Sequence, residues 1–157
     1  MADKSIKIMI RKAKLEDVKS IAELHKKVVN EVNSKFYSAE TIKEWIRDIL
    51  KENVVNQLQN SNRIVAEIDG KIVGFGQYSV TDGEIYQINV SPDYLKQNIG
   101  KGLYDYMEKD FRDNGAEKIC LNSTLNAVEF YQKLGFKMLE ETRIGSIKMV
   151  KMEKFLR

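Results

Sequence analysis

The segment from Gln97 to Gly102 has the composition of an anion-binding site at the start of a helix. It follows a strand-like run, Glu84–Val90, and a helical pattern begins near Gly100. The first N–H groups of a helix have no partner within the helix, and the helix dipole adds partial positive charge there. Glycines at 100 and 102 remove the side chains that would keep a phosphate away from those amides. This order of elements predicts binding of a phosphorylated ligand.

Two common phosphate-binding motifs do not fit this segment. The P-loop pattern G-x-x-x-x-G-K-[ST] is absent, because Gly102 is followed by Leu103 and no Ser or Thr is in place to bind magnesium. The dinucleotide pattern G-x-G-x-x-G is absent as well, since its first glycine should come directly after the strand rather than beyond Pro92 and Gln97. The pattern that remains, V-x-P followed by Q-x-x-G-x-G, resembles the pyrophosphate-binding motif of the GNAT superfamily of acyl-CoA-dependent N-acyltransferases.

A second segment, Asn126–Phe136, resembles the later signature of the same superfamily, N-x-x-x-x-Y-x-x-x-G-F. The resemblance covers nearly the whole chain and implies a single GNAT N-acetyltransferase domain over residues 1–157. It also implies an α/β (α+β) fold, in which a central, mixed and mostly antiparallel sheet of about seven strands is flanked by about four helices. In that fold the fourth and fifth strands splay apart and admit the pantetheine arm of the acyl-CoA.

The reaction that the resemblance implies is acetyl transfer from acetyl-CoA to a primary amine by direct attack on the thioester. The reaction needs groups that bind the cofactor, hydrogen-bond donors to the thioester carbonyl, a base that accepts the amine's proton and an acid that protonates the departing thiolate. By resemblance, the backbone amides from Asn98 to Gly102 and the side chain of Gln97 hold the cofactor. The family more often has Arg-Gly at positions 97 and 98, but Asn98 tolerates a left-handed backbone better than most residues.

The carbonyl donor is expected on the fourth strand, near Val90. In the family a bulge frees main-chain groups there, and Asn89–Ser91 is the expected place for it. The complete set of cofactor-binding residues that the resemblance implies is Ile88, Val90, Gln97, Asn98, Ile99, Gly100, Lys101, Gly102, Leu103, Asn126 and Tyr131.

Two residues of the second segment have a structural alternative. By resemblance the hydroxyl of Tyr131 is the general acid that protonates the CoA thiolate, since a phenol with a pKa near ~10 is protonated at neutral pH. Tyr131 also shares a helical face with Ala127 and Leu134, so burial in the core is the alternative. Asn126 is expected near the pantetheine arm, but it is also a preferred N-cap residue, and Glu129 would complete a capping box.

Glu84 is the candidate general base. It opens the fourth strand where the histone-acetylating branch of the superfamily carries its base, and a carboxylate there would draw the proton from an ammonium substrate directly or through water. The alternative is a solvated residue after the turn Asp82-Gly83. His25 lies on the apolar stripe of the first helix and is expected to be packed or partly exposed rather than catalytic. Four aromatic residues border the acceptor pocket by resemblance or belong to the core: Phe36, Tyr37, Trp45 and Tyr78.

These residues must be positioned by strands and helices that the sequence pattern predicts. Apolar residues alternate from Ser5 to Arg11 as in a strand, and Asp17 begins a helix with one apolar face. Ser38 is a good N-cap for a second helix, and Asp69-Gly70 is a strong hairpin signal. The remaining predicted strands cover 63–68, 71–80, 84–90, the region of Cys120, 136–141 and 147–155, and the remaining helices run from about 100 to 114 and from 127 to 134.

The composition is typical of a soluble globular domain. The chain has 157 residues, 43% hydrophobic and 31% charged, which suits one domain with a sizeable core. No apolar run approaches the ~20 residues that span a bilayer and no signal peptide is evident, so we expect no membrane partner and a cytoplasmic location. The net charge of +3 is spread along the chain, which argues against nucleic-acid binding. Cys120, the only cysteine, is expected in the core, and with one histidine no His/Cys metal site is expected.

Two classes of function remain open. The first is an acetyl-CoA-dependent N-acetyltransferase whose acceptor is a small-molecule amine such as a polyamine, or alternatively a protein or peptide. The second is a non-catalytic acyl-CoA-binding regulatory domain. Retention of Tyr131 and Glu84 favours the enzyme, because binding alone requires neither. The carboxylate that the ribosomal-protein-acetylating branch carries on its fifth strand is missing from 120–122, which disfavours that branch. Dimers are common in the family, so a homodimer is possible.

Overall fold

The computed structural model of the chain describes residues 7–51 and 61–156. The predicted first strand from Ser5 therefore lies partly outside the described residues. The seven strands within these ranges are β1 (Met9–Lys12), β2 (Asn62–Ile68), β3 (Lys71–Ser79), β4 (Glu84–Val90), β5 (Lys118–Thr124), β6 (Lys137–Ile144) and β7 (Ile147–Phe155). The four α-helices of the described part of the chain are α1 (Val18–Glu31), α2 (Ala39–Lys51), α3 (Ile99–Asp113) and α4 (Val128–Lys133). Among the residues described, no helix has the length and apolar character needed to cross a lipid bilayer.

All seven strands form one mixed sheet in the order β1-β2-β3-β4-β5-β7-β6. The pair β4–β5 is parallel, and the other neighbouring strands are antiparallel. The turn between β2 and β3 has left-handed backbone at Asp69 and Gly70, with φ of 50° and 78°, as the hairpin signal predicts. The predicted mixed, mostly antiparallel sheet with four flanking helices is confirmed.

Strands β4 and β5 separate after a short stretch of pairing. Their ladder consists of Glu84 opposite Cys120 and Ile85 opposite Leu121. Within the described residues β4 then continues to Val90 without a further ladder pair on β5. The facing edges of the two strands are therefore open beyond Ile85, because the hydrogen bonds of a parallel ladder are missing there. The predicted splaying of the fourth and fifth strands is confirmed.

Helix α3 packs on one face of the sheet through residues one turn apart. Leu103, Met107 and Phe111 are fully buried, and their spacing of four residues places them on one side of the helix. Gly74 of β3 lets the start of the helix approach the sheet, since a Cβ there would lie 3.0 Å from Cγ2 of Ile99. This close packing holds the first turn of α3 beside the end of β4.

Helix α1 covers the opposite face of β2 and β3. Its buried residues Ile21, Leu24 and Val28 form a cluster with Val65 of β2 and Phe75 of β3. The central strands are thus covered on both faces, as predicted for helices on either side of the sheet. The cleft described below opens between these two layers.

The ends of several elements differ from the predicted ones by a few residues. Ser38 caps α2 as predicted, with the N–H of Thr41 donating to its Oγ at 3.2 Å. The sixth strand covers Lys137–Ile144 rather than ending at Glu141. It is longer because its ladder with β7 continues to the pair Ile144 and Ile147. Side-chain capping is a local signal, whereas strand length depends on the partner strand.

Candidate active site

The start of α3 carries three backbone amides that have no acceptor. Asn98 precedes the helix with left-handed φ and ψ of 60° and 22°, and the first helical hydrogen bond runs from the Gly102 N–H to the Asn98 carbonyl at 3.0 Å. The N–H groups of Ile99, Gly100 and Lys101 precede that bond, and within the described residues none of them donates to an acceptor. Free amides and the positive end of the helix dipole favour an anion at this point.

Gly102 and Leu103 are turned away from this anion site. The N–H of Gly102 is already bonded to Asn98, and a Cβ on Gly102 would lie 3.2 Å from Cδ1 of Ile10 on β1. The Leu103 side chain is fully buried in the core. Each helical residue is rotated by about 100° from the last, so both residues fall on the face toward the sheet and lie outside the lining of the cleft described below. Their contact with the cofactor stays a prediction.

Gly100 lies at a close contact between α3 and α4. A Cβ there would lie 3.1 Å from Cε1 of Phe130 and 3.6 Å from Cγ2 of Val90. The ring of Phe130 therefore packs directly over the first turn of α3. The glycine serves this close approach of α4 as well as access to the free amides.

A cleft of about 530 Å³ leads from the start of α3 to the open edges of β4 and β5. Its volume is in the range of small-molecule sites. Val28 of α1 and Val32, just after its end, give the cleft an apolar side. Three lysines, Lys96, Lys101 and Lys133, carry positive charge along its lining. Eight of the predicted cofactor residues line it: Ile88, Val90, Gln97, Asn98, Ile99, Gly100, Lys101 and Asn126.

The side-chain oxygen of Gln97 is buried in this cleft and has no hydrogen-bond partner among the described residues. An unpaired buried acceptor costs free energy, so most such atoms in folded proteins bond a ligand or an ordered water. Gln97 therefore offers an acceptor oxygen beside the three donor amides of α3. An anion site flanked by one acceptor suits a ligand that carries both phosphate and N–H groups.

Asn126 does not cap α4. A short 3-10 turn, Leu125–Ala127, turns the chain before the helix, so Ala127 occupies the N-cap position and makes no side-chain cap bond. The predicted capping box of Asn126 and Glu129 is therefore wrong. The side-chain oxygen of Asn126 instead accepts a hydrogen bond from Nδ2 of Asn33, at 2.8 Å. This bond fixes the side chain at the lining of the cleft.

Tyr131 is buried behind the cleft wall. Its ring packs edge-on against Phe130 and Phe136, with centroid distances of 5.1 Å and 5.6 Å, and Phe130 is the member of this group that lines the cleft. Burial raises the pKa of the Tyr131 hydroxyl above its ordinary value, so the phenol is protonated at neutral pH. The hydroxyl has no hydrogen-bond partner among the described residues. Tyr131 is thus a core residue with an uncommitted O–H group.

Glu84 stands at the closed end of the opening between β4 and β5, opposite Cys120. It lies outside the cleft lining described above. Burial, and then the charge of Asp82, raise the pKa of the Glu84 carboxyl, while Lys151 lowers it. A raised carboxyl pKa brings the group closer to the range in which it exchanges protons near neutral pH.

Cys120 is half-buried rather than part of the core, which corrects the predicted core position. Its neighbours Ile119 and Leu121 are the buried residues of β5. Because side chains alternate along a strand, Cys120 projects from the opposite face, the face that also carries its partner Glu84. An apolar run of four residues does not show which of them point inward.

The bulge in β4 lies at Tyr86. The register of β4 against β3 shifts by one residue between Ile85 and Gln87, which leaves Tyr86 without an opposite residue. The expected bulge at Asn89–Ser91 is wrong, because the ladder through Asn89 and Val90 is regular. A bulge disrupts ladder bonding and frees main-chain groups. These groups lie two residues from Glu84, closer than the predicted donor at Val90.

His25 of α1 is packed against β3, as predicted. Its ring lies edge-on to Phe75 with 5.4 Å between the centroids. Burial, and then the positive charge of Arg63, lower its pKa to about 4. The imidazole is therefore neutral at physiological pH, and it contributes packing rather than a charge.

The four aromatic residues considered for the acceptor pocket, all in the described part of the chain, lie outside the cleft lining. Tyr78 is fully buried in the core and Phe36 is largely exposed. Tyr37 packs edge-on against Trp45, and its hydroxyl accepts a hydrogen bond from the N–H of Leu125 at 3.0 Å. Tyr37 thus fastens the connection between α1 and α2 to the end of β5.

Asn33 and Asn89 are among the cleft residues that sequence reasoning missed as site residues. For Asn89 a signal exists, because polar Gln87 and Asn89 alternate with apolar Ile88 and Val90 along β4. For Asn33 there is none, since polar residues in a connecting loop are ordinary.

The family model described as Acetyltransferase (GNAT) domain matches residues 33–156 of this chain. The chain belongs to this family. Among its relatives is a protein named spermidine N(1)-acetyltransferase from Thermoplasma acidophilum, which is 29% identical over 83% of this chain and 89% of the relative. Another, from Bacillus subtilis and named uncharacterized N-acetyltransferase YjcF, is 29% identical over 68% of this chain and 78% of the relative.

Solved structures agree with this membership. The PaiA N-acetyltransferase of Thermoplasma acidophilum in complex with coenzyme A is 28% identical, with a TM-score of 0.82 over 96% of this chain and 99% of that one. A GCN5-related N-acetyltransferase from Rhodopseudomonas palustris, 24% identical, shares the fold with a TM-score of 0.87 over 99% of both chains. This GNAT protein is therefore an N-acetyltransferase, as the resemblance implied.

Proposed function

We propose that this GNAT N-acetyltransferase acetylates the primary amine of a small molecule by direct attack of the amine on the thioester of acetyl-CoA. The observation that carries the proposal is the opening between β4 and β5, which has free α3 amides beside one end and Glu84 at the other. A pyrophosphate on the α3 amides would direct the pantetheine arm along the open strand edges toward Glu84.

The cofactor end of the cleft uses backbone amides and side chains that are already in place. The N–H groups of Ile99, Gly100 and Lys101 donate to the pyrophosphate. Ile88 and Val90 line the path of the arm on one wall, and Asn126, held by Asn33, lines the other. Main-chain groups freed by the bulge at Tyr86 are the candidate donors to the thioester carbonyl.

The chemical step divides proton transfers between two residues. The amine nitrogen bonds to the thioester carbon, and the proton it gives up goes to Glu84 directly or through water. The C–S bond breaks and the sulfur takes the proton of the Tyr131 hydroxyl, whose raised pKa keeps it protonated beforehand. Water then restores the Tyr131 proton. For this step the Tyr131 hydroxyl must reach the arm past Phe130, which packs against it.

A small-molecule acceptor is favoured over a peptide by the relative named spermidine N(1)-acetyltransferase, which aligns with most of this chain. A polyamine is an aliphatic primary amine, and the apolar side that Val28 and Val32 give the cleft suits an aliphatic chain. Cytoplasmic location, a homodimer, one domain over residues 1–157 and the lack of metal and nucleic-acid partners stay predictions.

The test is release of free CoA thiol from acetyl-CoA in the presence of single amines. We expect turnover with spermidine or another small aliphatic amine, and product mass increased by one acetyl group. Peptides with a free N-terminus or lysine serve as the comparison panel. Faster turnover with peptides would replace the small-molecule proposal. Binding of CoA without acetylation of either class would favour the regulatory acyl-CoA-binding domain instead.

A further inference from the structure

A row of polar side chains crosses three strands on the sheet face that α1 covers. Arg63 of β2 pairs with Gln77 of β3, which pairs with Gln87 of β4, so the three side chains project from the same face. Asn89 projects from that face as well, two residues further along β4. Arg63 and Gln77 are buried, whereas Asn89 lines the cleft. The row connects the interior of the protein with the cleft wall.

Hydrogen bonds join the members of this row from end to end. The Arg63 guanidinium donates to Oε1 of Gln77 at 3.1 Å, and Nε2 of Gln87 donates to the same oxygen at 3.0 Å. Nδ2 of Asn89 donates to Oε1 of Gln87 at 2.9 Å. The other end of the Gln77 amide is also held, since its Nε2 donates to Oγ of Ser61 at 2.9 Å.

The arginine sets the direction of every amide in the row. A guanidinium has only donors, so the Gln77 atom that faces it must be the oxygen. That oxygen requires the NH2 group of Gln87 to face it, which turns the Gln87 oxygen toward Asn89. The Asn89 NH2 group must then face Gln87, so its Oδ1 is the free end. Within the described residues no donor bonds the Asn89 Oδ1.

We propose that Asn89 is a specificity residue for the acceptor, whose N–H group donates to the Asn89 side-chain oxygen, and that Gln87 is the positioning residue that aims this oxygen. The inference rests on the proposed function. Asn89 shares the cleft with the apolar Val28 of α1 and with Val32, just after the end of α1. An aliphatic amine fits this combination, because its chain meets the valines while its nitrogen reaches the amide oxygen.

The amide N–H groups of the pantetheine arm offer the same chemistry, but the geometry favours the acceptor. The neighbours of Asn89, Ile88 and Val90, pair with Gly76 and Gly74, the glycines whose missing Cβ atoms face α3. The cofactor site begins on α3, on that side of the sheet. Asn89 points to the opposite side, toward α1. A ligand bonded there approaches the thioester from the side away from the phosphates.

The test compares Asn89→Ala and Gln87→Ala with the wild type in steady-state acetylation of the best amine. Loss of one hydrogen bond should raise the KM of the amine about tenfold in Asn89→Ala, and less in Gln87→Ala, where the oxygen remains but is no longer aimed. The KM of acetyl-CoA and the rise in Tm given by CoA should stay within about twofold of the wild type. Asn114→Ala is the matched control, because Asn114 bonds the Asp110 carbonyl at the far end of α3.

A second measurement does not depend on turnover. The amine should raise the Tm of the CoA-bound wild type, and this added rise should be lost in Asn89→Ala. An unchanged amine KM and an unchanged added rise in both variants would overturn the inference. Loss of the CoA-induced rise in Asn89→Ala would assign the oxygen to the pantetheine arm and overturn the acceptor role. If the wild type acetylates no amine, the proposed function fails instead, which the wild-type assay alone reveals.

Discussion

Asn33 donates a hydrogen bond to Asn126 at the lining of the cleft, with 2.8 Å between Nδ2 and Oδ1. Asn33 belongs to the connection between α1 and α2, and Asn126 to the connection between β5 and α4. The two lie far apart in sequence, and Asn33 is only 3% exposed. The bond therefore couples the connection between α1 and α2 to the cleft wall along which the pantetheine arm of the cofactor is proposed to lie.

Removing only the acceptor of this bond should destabilise the protein more than removing both of its partners together. Asn126→Ala leaves the buried Asn33 amide unpaired, at a cost of about 1–3 kcal/mol in the free energy of unfolding. Urea denaturation of both single variants and of the double variant gives the coupling energy. Additive effects of the two substitutions would mean that the bond contributes nothing. If Asn126 also meets the cofactor, Asn126→Ala should raise the KM of acetyl-CoA more than Asn33→Ala, which removes only the bond that holds Asn126 in place.

Two glycines in the first turn of α3 should respond differently to alanine. In Gly100→Ala the new Cβ would meet Phe130 at 3.1 Å and narrow the cleft beside the free amides, so the Tm rise given by CoA should shrink. In Gly102→Ala the Cβ would meet Ile10 at 3.2 Å, away from the cleft, so the rise should persist. Differential scanning fluorimetry with and without CoA measures both. An equal reduction of the CoA-induced rise in Tm in the two variants would contradict the assignment of the anion site.

Tyr131→Phe should separate the acid role from packing. The ring contacts with Phe130 and Phe136 are kept, and the lost hydroxyl has no described hydrogen-bond partner, so the Tm should change little. If the hydroxyl protonates the thiolate, kcat should fall about 100-fold, a typical loss for general acid catalysis, with the KM of acetyl-CoA little changed. Wild-type turnover in this variant would leave Tyr131 as a core residue only.

Features with a local cause were predictable from the sequence. The Ser38 cap and the Asp69-Gly70 hairpin each depend on residues within one turn, and both are observed. Asn98, which was expected only to tolerate a left-handed backbone, adopts one before α3. The separation of β4 and β5 has no local cause in the sequence, and its prediction came from the family resemblance. Composition and periodicity alone would not have shown it.

Features that depend on distant partners were not predictable in detail. Asn126 failed as a cap because its side chain bonds Asn33 and the chain turns before α4. The motif does not show that the side of Gly102 where a Cβ would stand faces Ile10 of β1. The bulge at Tyr86 reflects how β4 fits β3. In each case the deciding neighbour lies outside the sequence window in which the motif is read.

His25, the only histidine of the chain, should make stability depend on pH below neutrality. Its ordinary pKa is 6.5 and its folded pKa is about 4, lowered by burial. As pH falls between these values the unfolded chain takes up a proton that the folded chain does not, so the free energy of unfolding falls, by roughly 3 kcal/mol at most. His25→Gln should lose this part of the pH dependence in urea denaturation at pH 7 and pH 5. An equal fall in the free energy of unfolding between pH 7 and pH 5 in the wild type and in His25→Gln would contradict a buried neutral imidazole.

Glu84→Gln should lower turnover near neutral pH, because the amine then loses the base that takes its proton. Raising the pH should partly restore turnover, since more of the amine is already neutral in solution. A residue with only a structural role would give a loss that does not change with pH. The readout is kcat/KM for the amine measured from acid to alkaline pH. A profile parallel to the wild type would remove Glu84 from the mechanism.

The neighbours of Glu84 allow a sharper test that keeps the base in place. Asp82 raises the pKa of Glu84 and Lys151 lowers it. Because the base must be ionised to act, the acidic limb of the kcat/KM profile follows this pKa. Asp82→Asn should therefore move the limb to lower pH, and Lys151→Met should move it to higher pH. Both changes act through charge on a partly buried carboxyl, so salt should reduce each shift. Shifts in the same direction, or none, would show that a group other than Glu84 sets the acidic limb.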